Sequence, residues 1–168
     1  MSAIVMSGVY ALWLVAGSLD FHFHRRTNLP HTSGMDESAL HGVQLVLIGS
    51  GVLAWLLLEN TWSLATLLAA LVIAHAIAGY FDTVSADGRR RISPAEQHVH
   101  SVLDAAPWVL LAWVAWHAQP RWPLTVAPAV PEVWWLILLP ALGAVVLPWL
   151  WELLQCLRAG RQRRQASA

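Results

Sequence analysis

The sequence predicts an all-α protein, a polytopic bundle of about five transmembrane helices, and three observations carry that expectation. Apolar residues make up 57% of the 168 and charged residues only 12%, about half the charged share of a soluble domain. Five apolar runs are each long enough to cross about 30 Å of hydrocarbon. Nine of the ten Arg fall in three clusters, separated from one another by pairs of those runs.

The runs are Ala3 to Leu19, Val43 to Leu58, Trp62 to Phe81, Val99 to Trp116 and Val133 to Trp151. The first has no basic segment before it, and Arg25 and Arg26 follow it, so it reads as a retained span and not as a cleaved signal. Arg25 and Arg26 follow the first run, Arg89 to Arg91 the third, and Arg158, Arg161, Arg163 and Arg164 the fifth. Five alternating spans put all three clusters on one side, which the positive-inside rule makes cytoplasmic. The N-terminus is then expected outside and the C-terminus inside a bacterial inner membrane. Trp55, Trp62, Trp116, Trp122, Trp134 and Trp135 mark the outer boundary, and Trp149 and Trp151 the inner one. Pro120, Pro123, Pro128 and Pro131 make the segment from His117 to Glu132 an extended strap across the bundle. Pro107 is expected to free the carbonyl of Leu103 and to bend the fourth helix. Residues 1–157 read as a single transmembrane bundle and 158–168 as a basic cytoplasmic tail.

Ten Arg balance ten acids and there is no Lys, so no broad positive field exists to hold nucleic acid. Cys156 is the only cysteine, which excludes a disulfide framework and a thiolate zinc cluster. Ligands for a metal must then come from His and the acids.

Threading the topology puts these residues at one depth. Asp20, His22 and His24 end the first helix; Glu37 and His41 open the second; Asp82 closes the third, with His75 two turns deeper. Glu96, His98 and His100 open the fourth, with Asp104 deeper. Asp20 and His24, Glu37 and His41, and Glu96 and His100 are each four apart and share a helix face; His75 and Asp82, seven apart, share one as well. A polar side chain inside a span is disfavoured by roughly 2.5–3.5 kcal/mol on insertion scales, so His75, His100 and Asp104 need partners. One carboxylate and one imidazole from each of four helices is the inventory of a two-metal site in a helical bundle. The expected ligands are Asp20, His24, Glu37, His41, His75, Asp82, Glu96, His98 and His100, with Glu37 and Glu96 also catalytic. His22, Asp104 and Tyr80 are expected to stand behind them. Oxygen and imidazole donors suit iron, with zinc or manganese as alternatives.

Competing roles exist for several of these residues. Ser93-Pro94-Ala95-Glu96 is a capping box, so Glu96 fits a cap as well as a ligand. Asp20, Glu37 and Asp82 fit interfacial acids paired with Arg25, Arg26 or Arg89 to Arg91. His31 and His117 fit loop positions, Cys156 fits packing, and Glu59, about 27 Å from His41 along its helix, belongs to the far side.

Three stretches carry a resemblance: His31-Thr32-Ser33-Gly34 running into Glu37-Ser38 and Leu40-His41; Tyr80-Phe81-Asp82; and Pro94 into Glu96-Gln97-His98-Val99-His100-Ser101 and Leu103-Asp104. Over about residues 8–120 they resemble an uncharacterised family of small bacterial inner-membrane proteins in which similar motifs recur. The resemblance implies one constellation of site residues and brings no activity with it. The site chemistry is similar to the histidine boxes of membrane fatty-acid hydroxylases and desaturases, which use two irons, although adjacent His-His pairs are absent and carboxylates more numerous here. The expectation is a membrane-embedded di-iron oxidoreductase acting on a membrane lipid or other lipophilic substrate, served by an electron donor docking at the cytoplasmic face, on Arg89 to Arg91. A zinc-dependent intramembrane hydrolase and a non-enzymatic metal- or haem-binding protein are the alternatives.

Overall fold

The computed structural model describes residues 3–166, and their secondary structure is helical. Helices α1 (Ala3–Arg26), α2 (Met35–Leu57), α3 (Trp62–Ala86) and α4 (Pro94–Trp116) form four spans. The fifth is a continuous rod of 36 residues made of α5 (Pro131–Ala141), a π-helical turn (Leu142–Val146) and α6 (Leu147–Ala166). All five are long and apolar enough to cross a membrane.

Each helix starts where its sequence allows. Gly34, at φ 66°, supplies the left-handed backbone that turns the chain from a 3-10 turn (Leu29–His31) into α2. The Thr61 hydroxyl caps α3 by accepting from the Leu64 amide, and α4 opens on the expected capping box at Ser93 and Glu96. α4 continues through Pro107, which is buried. The π turn follows Pro140 in the fifth span, where the wider turn leaves the Ala144 carbonyl to accept from Ser18 Oγ on α1 at 2.9 Å.

The spans pack in a ring, α1 on α4, α4 on α3, α3 on α2, α2 on α6, and the π turn and α6 back onto α1. Close packing holds such a ring together, because lipid offers helices no hydrophobic drive to associate. Gly17 meets Val145 and Leu103, and Gly42 lies against the Trp149 indole, whose Nε1 donates to the Ser38 carbonyl at 2.9 Å. Leu64, Leu68 and Val114 close one end of the bundle with Trp55, Leu58 and Leu111 around them. The Pro-rich strap is pinned there: the Glu59 amide donates to Thr125 O and the Ala127 amide to Leu57 O, at 2.9 and 2.8 Å.

At the other end the helices run past their apolar stretches, so the polar residues that flank each run sit on rigid helix. α6 in particular continues through Arg158, Arg161, Arg163 and Arg164 to Ala166. The expected tail is thus mostly helical, with Ala159 buried and Arg163 donating to the His31 carbonyl at 2.9 Å. The last two residues of that tail, 167 and 168, lie outside the described residues.

Candidate metal centre

Five carboxylates and three imidazoles meet at the helical end of the ring. On α1, Asp20 and His24 share a face, with Asp20 Oδ2 and His24 Nε2 3.4 Å apart. Asp20 Oδ1 reaches across to His100 Nε2 on α4 at 2.8 Å. On α2, Glu37 Oε1 lies 3.7 Å from His24 Nε2, and His41 Nε2 lies 3.2 Å from Asp82 Oδ2 on α3. The His24 and His41 rings stack with centroids 4.6 Å apart, and the Phe21 ring meets both edge-on.

Glu152, which the sequence reading left out, and Arg90, which it offered only among the ion-pair partners of Glu37, organise this centre. Glu152 on α6 takes Nδ1 of His24 at 2.8 Å on one oxygen and Nδ1 of His41 at 3.3 Å on the other. Arg90, between α3 and α4, forks into Glu37 through Nε and Nη2, at 3.0 and 2.5 Å on Oε1, and donates through Nη1 to Glu96. Its guanidinium is buried with both partners. Burial opposes that charge, and the carboxylates of Glu37 and Glu96 more than offset it, holding the Arg90 pKa above its ordinary value. Glu96 therefore serves as cap and cluster member together, one oxygen on the Ser93 amide and the other on Arg90.

Where the imidazoles are neutral, a carboxylate that accepts both Nδ1–H groups leaves Nε2 of each ring as a lone pair. Nε2 of the two rings faces carboxylate oxygens at 3.2–3.7 Å, contacts that a proton on Nε2 or a metal ion between the two atoms would each satisfy. Two ligands each about 2.1 Å from one ion, at angles of roughly 90–110°, stand about 3.0–3.4 Å apart, which the 3.4 and 3.2 Å separations match. His24 Nε2 and Asp82 Oδ1 are buried without a hydrogen-bond partner, free for coordination. Asp20, Glu37, Asp82, Glu96 and Glu152 against Arg90 leave a formal charge of −4 with neutral imidazoles, all of it buried. Two divalent ions would bring that to zero. Two groups of donors lie within 4.8 Å of one another, Asp20 with His24, Glu96 and His100, and His24 with Glu37 and His41. They share His24, so the buried His/Asp/Glu cluster is one centre able to hold metal.

Of the other expected site residues, His75 is buried beside the cluster with both ring nitrogens unpartnered, and Asp104 lines the same central cavity. His98, His22 and Tyr80 stand outside. All three are exposed, and His98 Nδ1 is taken by the Pro94 carbonyl at 2.8 Å. Each lies two residues from a cluster member, His100, His24 and Asp82, and two residues turn a helix by about 200°, onto its opposite face. Of the run Arg89 to Arg91, Arg90 points inward, exposed Arg89 pairs with Asp36 at 2.7 Å, and exposed Arg91 has no ion pair among those described. Glu59 is at the far end, on Arg121 and Thr125.

A cavity of about 420 Å³ opens from the cluster along the ring axis, with Asp20, His41, Asp82 and His100 at its polar end. A second, of about 620 Å³, lies toward the strap end. Tyr10, Trp13, Leu14, Ile48 and Val52 wall both. Comparison of the chain with protein-family models, with curated proteins and with solved structures finds no match in any of the three.

Proposed function

We propose that the cluster is a dinuclear metal centre, most naturally of iron, in a membrane-embedded oxidoreductase that hydroxylates or desaturates a lipophilic molecule. The observation that carries this reading is the convergence of Nε2 of His24 and His41 on Asp20 and Asp82, with Glu152 on Nδ1 of both rings. Carboxylate and imidazole donors in a helical bundle suit iron, which would supply dioxygen chemistry. Hydroxylation puts one oxygen atom of dioxygen into a C–H bond and releases the other as water, with two electrons and two protons from an external donor. No nucleotide-binding motif occurs in the sequence to supply those electrons.

The residues of the chain divide the remaining work. Glu152 fixes the tautomers of His24 and His41, and Arg90 locks Glu37 and Glu96 in one rotamer each. Asp20, His41, Asp82 and His100 face the cavity and so stand nearest to a bound molecule. The Arg clusters at this end support a cytoplasmic location in a bacterial inner membrane, and exposed Arg25, Arg91 and Arg158 suit an acidic electron donor there.

Elemental analysis of protein purified in mild detergent from metal-replete cells tests the reading. The expected result is about two irons per chain, lost in a His24→Ala His100→Ala variant that still purifies folded. One zinc per chain transfers the reading to hydrolysis on a metal-bound water. Absence of metal overturns it.

A further inference from the structure

The polar residues of the cluster do not end where the helical cap of the bundle ends. One turn deeper than His100, Asp104 faces the central cavity from α4, and its carboxyl has no hydrogen-bond partner among the described residues. Across from it, a Cβ on Gly79 would lie 3.4 Å from Asp104 Oδ1 and 3.6 Å from Gln44 Oε1. The absent side chain of Gly79 thus leaves a niche with two oxygen acceptors in its wall. His75, one turn before Gly79 on the same face of α3 and so about 5–6 Å away, is 94% buried, as its 6% exposure gives, with both ring nitrogens unpartnered. The ring lies beside the Leu103 carbonyl, an acceptor for it that Pro107 deprives of its helical donor. A niche of this kind inside a membrane span is costly unless something polar fills it.

The walls beyond the niche are apolar. From the level of Asp104 the two cavities follow the ring axis past Trp13, Leu14 and Ile48 to Met6 and Val114, a length of about 15 Å taken along ten residues of α4. Both cavities fall within the roughly 300–1,000 Å³ typical of small-molecule sites. A group that fills the niche can donate to Asp104 and accept from His75, both of which line the cavity. A hydroxyl does both, whether of water or of an alcohol, and the apolar chain of an alcohol would also fill the rest.

We infer that the central cavity binds a long-chain alcohol, with the hydroxyl between Asp104 and His75 and the chain directed toward Met6 and Val114. As a substrate assignment this rests on the proposed metal centre, and it brings the carbons next to the hydroxyl closest to the cluster. As a binding site it rests on the cavity alone, so the two fail separately.

The test uses the full chain in mild detergent, before and after treatment with a chelator. The probes are a 16-carbon primary alcohol carrying a mid-chain diazirine, and its methyl ether, which accepts hydrogen bonds and cannot donate. On irradiation the alcohol is expected to label cavity residues such as Trp13, Ile48 and Leu110, about tenfold more efficiently than the ether. Asp104→Leu is expected to erase the preference, and Gly79→Leu to abolish cavity labelling. Equal labelling by alcohol and ether in the unmodified protein, or labelling confined to the outer faces of the helices, overturns the inference without reliance on any variant. A protein that prefers the alcohol and holds no metal retains the binding site and loses the proposed reaction.

Discussion

His24 on α1 and Glu152 on α6, 128 residues apart in the chain, meet through a hydrogen bond of 2.8 Å between Nδ1 and Oε2. Because the other oxygen of Glu152 takes His41, one carboxylate sets the tautomer of two stacked imidazoles. Partners of this kind change metal affinity by about 10–100-fold when removed. Glu152→Gln offers one acceptor oxygen where the carboxylate has two, so it can hold only one Nδ1–H. The variant is expected to fold, and to release metal to a competing chelator at concentrations lower by about that factor. Unchanged metal retention, measured by elemental analysis after graded chelator exposure, would sink the role given to Glu152.

Arg90 supports the same centre by charge. Its guanidinium pairs with both Glu37 and Glu96, which are 1% and 0% exposed. Breaking a buried pair by removing one partner costs about 3–5 kcal/mol, because the other charge stays buried. Arg90→Met is expected to lower thermal stability in detergent by that order. Arg90→Lys keeps the charge and loses the fork that spans both carboxylates, and is expected to fall between the two. If Met and Lys behave alike, the geometry of the fork is irrelevant and the assignment fails.

The sequence carries depth and helix face well, and this is why the centre was largely legible before any coordinates. Asp20 with His24 and Glu37 with His41 are pairs whose shared face follows from helical spacing alone, and both pairs point inward. The same geometry, applied to His22, His98 and Tyr80, turns them outward, so their inclusion came from their residue type and depth. Arg90 was legible only as one of several Arg that could pair with Glu37, for a different reason. It lies between two helices, where no periodicity fixes a direction, and its neighbours Arg89 and Arg91 made it look like one more cytoplasmic charge. Glu152 stood one residue past the apolar run ending at Trp151, and only the unbroken continuation of α6 reveals that it shares the depth of the other acids.

Gly42 offers a test of the packing that brings Glu152 to the centre. A Cβ at this position would sit 2.6 Å from the Trp149 ring, closer than any real contact, and the indole is tethered by its hydrogen bond to the Ser38 carbonyl. Overpacking of this kind costs about 1–3 kcal/mol. Gly42→Ala is expected to push α6 from α2, lowering both the melting temperature and metal retention. In a Gly42→Ala Trp149→Phe double variant the smaller ring is expected to restore most of both. Failure of the double variant to recover either would show that the close approach of α6 does not depend on this contact.

The far end of the bundle responds to pH through Glu59. The Thr125 hydroxyl and the Arg121 guanidinium hold its carboxyl below its ordinary value near 4.5, and both partners belong to the strap. A carboxylate with a depressed folded pKa contributes stability that is fully present above the unfolded value and is lost as pH falls through the lower folded one. The strap is therefore expected to stay docked at pH 6 and to loosen once pH falls past the ordinary carboxylate value and through the lower folded one. A spin label at Val126→Cys, on an exposed part of the strap, should report slow motion at pH 6 and faster motion below that point. With Glu59→Gln added, the motion should lose most of its pH dependence, since no charge remains to titrate at the latch. Loosening of equal size in the presence of Glu59→Gln would assign it to some other acid and remove Glu59 from the account.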